Sequence, residues 1–153
     1  MRKSSVVVLL LLAFAVSFVL PASSAVQIDK ALVDAAEKTL STMPADFYQI
    51  EPAAAQQQIE NAKPFLLDVR ETAEMAKGKI AGSTNIPIRD LPKMIAKLPD
   101  SKTAPILTYC QVGYRGGMSV TIIRMWGYTN VRTIKGGLDA WEKAGLPVVE
   151  KKS

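Results

Sequence analysis

The strongest constraint in this sequence is a set of short apolar runs that do not alternate with polar residues. Phe65-Leu66-Leu67-Asp68-Val69 and Pro105-Ile106-Leu107-Thr108-Tyr109 are nearly continuous in apolar character. A strand with one wet face shows a period of two; a strand buried on both faces does not. Strands of the second kind belong to parallel sheets covered by helices on each side. The same reading places strands at 47–50, 65–69, 83–86, 105–109 and 131–134. Between them helices are expected at 52–61, 71–76, 89–98, 117–126 and 138–143. Pro52 fits the first turn of its helix, and Gly145 ends the last helix as a C-terminal glycine. Met94, Ile95 and Leu98 are expected to face inward, as are Met118, Ile122, Met125 and Trp126. The fold class is α/β, a five-stranded parallel sheet with helices on both faces. Ligands of such sheets sit at the carboxyl ends of the strands. Asp68-Val69-Arg70 and Cys110 fall at two of these ends.

The N-terminal part reads differently. Arg2 and Lys3 precede 15 uncharged residues at 6–20, Pro21 breaks the run, and Ser23 and Ala25 stand at −3 and −1 of a cleavage site. This is the three-part pattern of a signal peptide. The run is shorter than the roughly 20 residues of a spanning helix. Residues 1–25 are therefore expected to be removed after Ala25, giving a periplasmic or secreted chain with no stable membrane span. An uncleaved anchor is the alternative. Ile28, Leu32, Ala35, Ala36 and Leu40 then recur at helical spacing over 28–42, before Met43-Pro44. Residues 26–45 read as an N-terminal helical extension, 46–150 as the main domain and 151–153 as a tail.

The chain of 153 residues holds one cysteine and no histidine. An intrachain disulfide, a Cys/His zinc site, a serine triad and a Cys–His pair are all excluded. No metal and no organic cofactor are implied. Without Arg2 and Lys3 there are 17 cations against 14 anions, and no basic run of five residues, so nucleic acid is not an expected partner. A lone thiol in an exported protein either pairs with another molecule or is used chemically.

The thiol lies in Cys110-Gln111-Val112-Gly113-Tyr114-Arg115-Gly116-Gly117, between a buried strand and a helix expected to begin near Gly116. A short glycine-rich loop in this place turns backbone N–H groups toward a common point, and the helix start adds positive potential. The backbone from Gln111 to Gly116 is thus a candidate anion cradle, with the Cys110 sulfur at its base. Arg115 can point its fork at the anion or brace the loop from behind.

These residues resemble the rhodanese-like sulfurtransferases over 47–149. Four segments carry the resemblance: Leu66 to Glu71, Gly78 to Pro87, Cys110 to Arg115 and Gly136 to Trp141. The resemblance implies a cysteine that accepts a sulfane sulfur as a persulfide and passes it to a nucleophile. Cys110 would then attack a donor such as thiosulfate or a polysulfide, and a thiol or cyanide would take the sulfur away. Gln111, Val112, Gly113, Tyr114, Arg115 and Gly116, with Arg70, would bind the anion, and Asp68 would support the loop by pairing with Arg70. Gln111 stands where many thiosulfate-using members carry a basic residue, which points away from thiosulfate as the physiological donor. Lys79 replaces a usual histidine, Met75 a common aromatic, and Gly116 a serine or alanine.

Two rivals remain at this level. Cysteine phosphatases and arsenate reductases of related fold resemble a loop with five residues between Cys and Arg; here four intervene. A non-catalytic sulfur carrier or partner-binding module of the periplasm, docking a redox or sulfur-carrier protein through the 28–42 helix, is the other.

Overall fold

The structure, a computed structural model, describes residues 28–149. The expected signal peptide and the tail lie outside the described residues. The elements are α1 (Lys30–Ser41), β1 (Gln49–Ile50), α2 (Pro52–Ala62), β2 (Phe65–Asp68), β3 (Thr84–Asn85), β4 (Ile106–Tyr109), α3 (Tyr114–Met125), β5 (Val131–Ile134) and α4 (Gly137–Lys143). Two 3₁₀ helices, Thr72–Lys77 and Leu91–Lys97, link β2 to β3 and β3 to β4. The strands make one sheet in the order β1-β5-β4-β2-β3, and every pairing is parallel. Phe65 stands opposite Ile106, Asp68 opposite Tyr109, and Ile106 opposite Val131.

The non-alternating runs have the expected cause. Successive side chains of a strand point to opposite faces, and here both faces are buried. Leu67, Val69, Ile106 and Val131 join one core with Val120 and Ile123 of α3 and with Leu91 and Leu98. Leu66, Leu107, Tyr109 and Ile134 join the other with Ala55 of α2 and Leu138 and Trp141 of α4. The carboxyl ends of β2 and β4 therefore emerge side by side between two packed helical layers.

Helix α3 departs from expectation. It begins at Tyr114, and its buried residues are Gly116, Ser119, Val120 and Ile123, while Met118 is 58% exposed. At its start the helix comes too close to β5 for large side chains: a Cβ on Gly116 would lie 2.3 Å from Thr133 Oγ1, so Gly116 and Ser119 are buried there and Met118 turns outward. Farther along, Val120, Ile123 and, as expected, Trp126 pack in the core. The 89–98 segment also differs, because it is a 3₁₀ helix with a kink at Met94. At three residues per turn, i and i+3 eclipse. Leu91 and Met94 face the core and Ile95 is 40% exposed. Strand β1 is shorter than expected because Phe47 and Tyr48 take positive φ.

Helix α1 lies on α3. Thr39 is its buried residue, whereas Ile28, Leu32 and Leu40 are exposed. The expected apolar stripe is thus turned largely to solvent, and the contact is made by Ala35, Ala36 and Thr39, which are less exposed. Tyr48 ties the helix down: its hydroxyl donates to the Thr42 carbonyl at 2.9 Å, and Arg124 stacks 3.9 Å from its ring centre.

Trp141 anchors α4. It is fully buried, and its indole Nε1–H donates to the Pro147 carbonyl at 2.9 Å. Trp141→Ala is expected to cost about 3–5 kcal/mol of stability, the usual range for removing a buried aromatic. Denaturant unfolding of the two proteins checks this.

Candidate functional site

Cys110 is the first residue after β4 and is 1% exposed. The loop that follows is three residues long. Gly113, at φ +99°, caps α3, and the first helical bond runs from Gly117 N–H to the Gly113 carbonyl. The Gly113 N–H donates to Cys110 Sγ at 3.1 Å. The N–H groups of Gln111, Val112, Tyr114, Arg115 and Gly116 donate to no protein acceptor among the described residues. Three of these five belong to the first turn of α3, where no intrahelical acceptor exists.

The start of α4 sets the direction of the other two. Leu138 N–H donates to the Cys110 carbonyl at 2.8 Å, and Asp139 N–H to the Gln111 carbonyl at 3.0 Å. A trans peptide is planar, so its N–H points opposite to its C=O. With both carbonyls drawn toward α4, the Gln111 and Val112 N–H groups are directed away from α4. This contact needs Gly137. A Cβ there would lie 2.3 Å from the Cys110 carbonyl oxygen and 2.7 Å from that of Gln111, and φ is +62°. Gly136 also approaches the loop, its backbone nitrogen lying 3.2 Å from a Cβ built on Gly113.

Two arginine–carboxylate pairs brace the cradle. Arg70 and Asp68 are both fully buried. Arg70 Nε donates to both Asp68 oxygens at 3.0 Å, and Nη2 donates to Asp68 Oδ2 at 2.6 Å and to the Gly78 carbonyl at 2.8 Å. Burial opposes the Arg70 charge, but the hydrogen bonds and attraction of Asp68 outweigh it and hold the guanidinium above its ordinary value. Arg70 reaches the loop through one bond, Nη1 to Gln111 Oε1 at 3.1 Å. The structure therefore places Arg70 behind the loop, with no surface facing a ligand. Gln111 is also engaged, because its Nε2 donates to Asp139 Oδ1 at 2.5 Å.

The second pair is Arg115–Glu74. Arg115 donates to both Glu74 oxygens, at 2.5 and 2.8 Å, and Glu74 also accepts from the Glu71 N–H at 3.0 Å. The Glu74 hydrogen bonds raise Arg115 above its ordinary value, with a smaller contribution from the Cys110 sulfur. Of the two roles open to Arg115, the structure shows the bracing contact. Val112 and Tyr114 are exposed, Tyr114 by 82%, and contribute backbone rather than side chains to the cradle. Gly116 is buried against β5.

Sequence reasoning did not single out Glu74, Asp139 or the buried hydroxyl of Tyr109. The Tyr109 hydroxyl donates to Ser83 Oγ at 2.9 Å and accepts from Ile80 N–H at 3.2 Å; burial raises it above the ordinary tyrosine value. Each is a long-range partner, 26 to 41 residues from the group it meets. The Gly136-Gly137 pair at the start of α4 is the one local signal that the loop would be approached closely.

Two outcomes are expected from this geometry. Gly137→Ala should destabilise the protein by about 1–3 kcal/mol or more, as overpacking does, and slow any reaction at Cys110; unfolding and activity measurements read both. The Arg115 hydrogen bonds hold Glu74 at about 2, below the ordinary 4.5. A depressed carboxylate stabilises the fold above its unfolded value and loses that contribution as pH falls toward the folded one. Wild-type stability should therefore fall between pH 4.5 and about 2, whereas Glu74→Gln should be less stable at neutral pH and lose less over that window. Thermal unfolding at stepped pH checks this.

A profile of the rhodanese-like domain family matches residues 51–144. A sulfurtransferase of Allochromatium vinosum is 29% identical over 102 residues, covering 66% of this chain and 94% of that protein. The human thiosulfate:glutathione sulfurtransferase is 31% identical over 95 residues, covering 54% of this chain and 83% of that protein. Among solved structures, a rhodanese-related protein of Thermoplasma volcanium superposes with a TM-score of 0.61 at 31% identity, over 67% of this chain and 98% of that one. With the five-stranded parallel sheet and the Cys110 loop at its carboxyl edge, these matches establish that the chain belongs to the rhodanese-like domain family.

Proposed function

We propose that this protein is a sulfurtransferase that carries sulfane sulfur as a persulfide on Cys110. The observation that carries this reading is the placement of Cys110 Sγ, bonded by the Gly113 N–H at 3.1 Å within a loop whose further N–H groups have no protein acceptor among the described residues. Such donors stabilise an anion formed at the sulfur, and they need no rearrangement when it forms.

The Cys110 thiolate attacks the outer sulfur of the donor. The donor S–S bond breaks, and its electron pair leaves with sulfite if the donor is thiosulfate, with a thiolate if it is an organic persulfide, or with the shortened polysulfide if it is a polysulfide. The Cys110 persulfide anion then rests among the loop N–H groups. In the second half reaction a thiol or cyanide attacks the outer sulfur, and the electron pair returns to Cys110 as thiolate. This is covalent catalysis in two transfers. No proton need move at the sulfur, which suits a chain without histidine. Arg70 and Arg115 act as braces of the loop, through Gln111 and Glu74. The names of relatives that use thiosulfate support this class of donor. A sulfur carrier fed by a partner protein would share the same persulfide.

Export belongs to the same proposal. It is supported by Arg2 and Lys3, the uncharged run at 6–20 and the small residues Ser23 and Ala25. The protein then meets its small-molecule donor and thiol acceptor, or a redox or sulfur-carrier protein, outside the cytoplasm.

Intact mass spectrometry after incubation with thiosulfate or a polysulfide tests the central step. The wild type should gain one sulfur and lose it on addition of cyanide. Cys110→Ser should gain none while keeping its fold and its unfolding midpoint. A sulfur gained by the serine variant, or none gained by the wild type from either donor, would overturn the reading.

A further inference from the structure

Arg70 and Arg115 both brace the Cys110 loop, but they differ in access. Arg70 and Asp68 are fully buried, so their pair presents nothing to an incoming molecule. The side chains of Arg115 and Glu74 are 29% and 28% exposed. They also stand on the sulfur's side of the loop. The Cys110 and Gln111 carbonyls are drawn to α4, so the N–H groups of those peptides face away from it. The sulfur is met by the loop's own Gly113 N–H at 3.1 Å. Arg115 follows in the first turn of α3, and its guanidinium lies against the Cys110 sulfur, which favours its charge. Glu74 comes from the 3₁₀ helix Thr72–Lys77, not from α4.

Glu74 is fixed against that guanidinium. Its carboxylate accepts from Arg115 at 2.5 and 2.8 Å and from the Glu71 N–H at 3.0 Å, while the Glu71 side chain accepts in return from the Glu74 N–H. The cation beside the nucleophile therefore carries a carboxylate with it, and the pair offers a donor no net charge. Backbone N–H groups hold an anion by short hydrogen bonds whether it bears one charge or two. An unpaired guanidinium would favour the dianion, because Coulomb attraction grows in proportion to the charge of the incoming molecule. We propose that Glu74 is a specificity-determining residue, which acts through Arg115: by neutralising the guanidinium beside Cys110 it removes a preference for dianionic thiosulfate and suits the site to singly charged sulfane donors. This rests on the persulfide chemistry proposed for Cys110. For a singly charged organic persulfide the step is balanced: the Cys110 thiolate bonds to the outer sulfur of R–S–S⁻, the S–S bond of the donor breaks, and R–S⁻ leaves with the electron pair.

The test compares two stable donors that differ in charge, dianionic thiosulfate and singly charged benzenethiosulfonate, with cyanide as acceptor. The quantity read is the ratio of kcat/KM for thiosulfate to that for benzenethiosulfonate. Both donors meet the same folded fraction of each variant, so a loss of stability cancels from the ratio. Glu74→Gln leaves Arg115 unneutralised, and the ratio should rise by about two- to fivefold, as expected for one charge in partial contact with water. Arg115→Gln leaves the carboxylate alone, and the ratio should fall below that of the wild type. The double variant restores a neutral pair, and its ratio should return close to the wild-type value. The rise in Glu74→Gln should shrink at about 0.5 M salt, where the Debye length is only a few ångströms. A ratio that stays constant across the three variants while both rates fall together would make the pair a structural brace and overturn the proposal alone. A rise that persists in the double variant, or one undiminished by salt, would also overturn it. Failure of both donors to put a sulfur on wild-type Cys110 would overturn the persulfide reading and this proposal with it.

Discussion

Two peptide carbonyls, those of Cys110 and Gln111, are held by N–H groups from the start of α4, and the site takes its form from that contact. A loop of three residues between a strand and a helix has few conformations, but its peptides can still flip. With the carbonyls committed to Leu138 and Asp139, the N–H groups of the same peptides are committed to the other side. Helix α4 is itself kept in place by Trp141 and Leu138 in the core beneath the sheet. Burial of an indole on one face of the sheet is thereby linked to the direction of two hydrogen-bond donors at its edge.

The arginines belong to the same scheme. A buried ion pair is weak evidence for stability, because desolvation offsets the attraction. The Asp68–Arg70 pair is better understood as a means of positioning, since its five-donor fork joins the end of β2, the Gly78 carbonyl and the Gln111 side chain. Arg115 joins α3 to the 3₁₀ helix at Thr72–Lys77 in the same manner. Both cations are used to hold the frame, and the sulfur is left mainly to backbone donors.

Much of the fold was legible because burial on both faces leaves a plain mark on a strand. Phe65 to Asp68 and Ile106 to Tyr109 read as buried strands without reference to anything else. The faces of the helices were less legible. Gly116 and Ser119 meet the sheet and Met118 does not, because the distance between α3 and β5 is a tertiary quantity that hydrophobicity does not encode. For α1 the apolar spacing was real, but Ala35, Ala36 and Thr39 make the contact rather than Leu32 and Leu40. At the site, Cys110 and its glycine-rich loop stood out as a local pattern. The roles of Glu74 and Asp139 did not, since nothing near them in sequence says that they meet Arg115 and Gln111.

The single cysteine of the sequence has a kinetic corollary. On the chemistry proposed for Cys110, a persulfide there would meet no second thiol in this sequence, so its discharge to a thiol would be bimolecular. The loaded form would then persist until an acceptor arrives, with a lifetime that scales inversely with acceptor concentration. Cys110 is 1% exposed, so an acceptor narrow at its reacting end would suit such a site best. Under the proposed chemistry the protein would be a timed reservoir, whose sulfur occupancy records the recent balance between donor and acceptor around it.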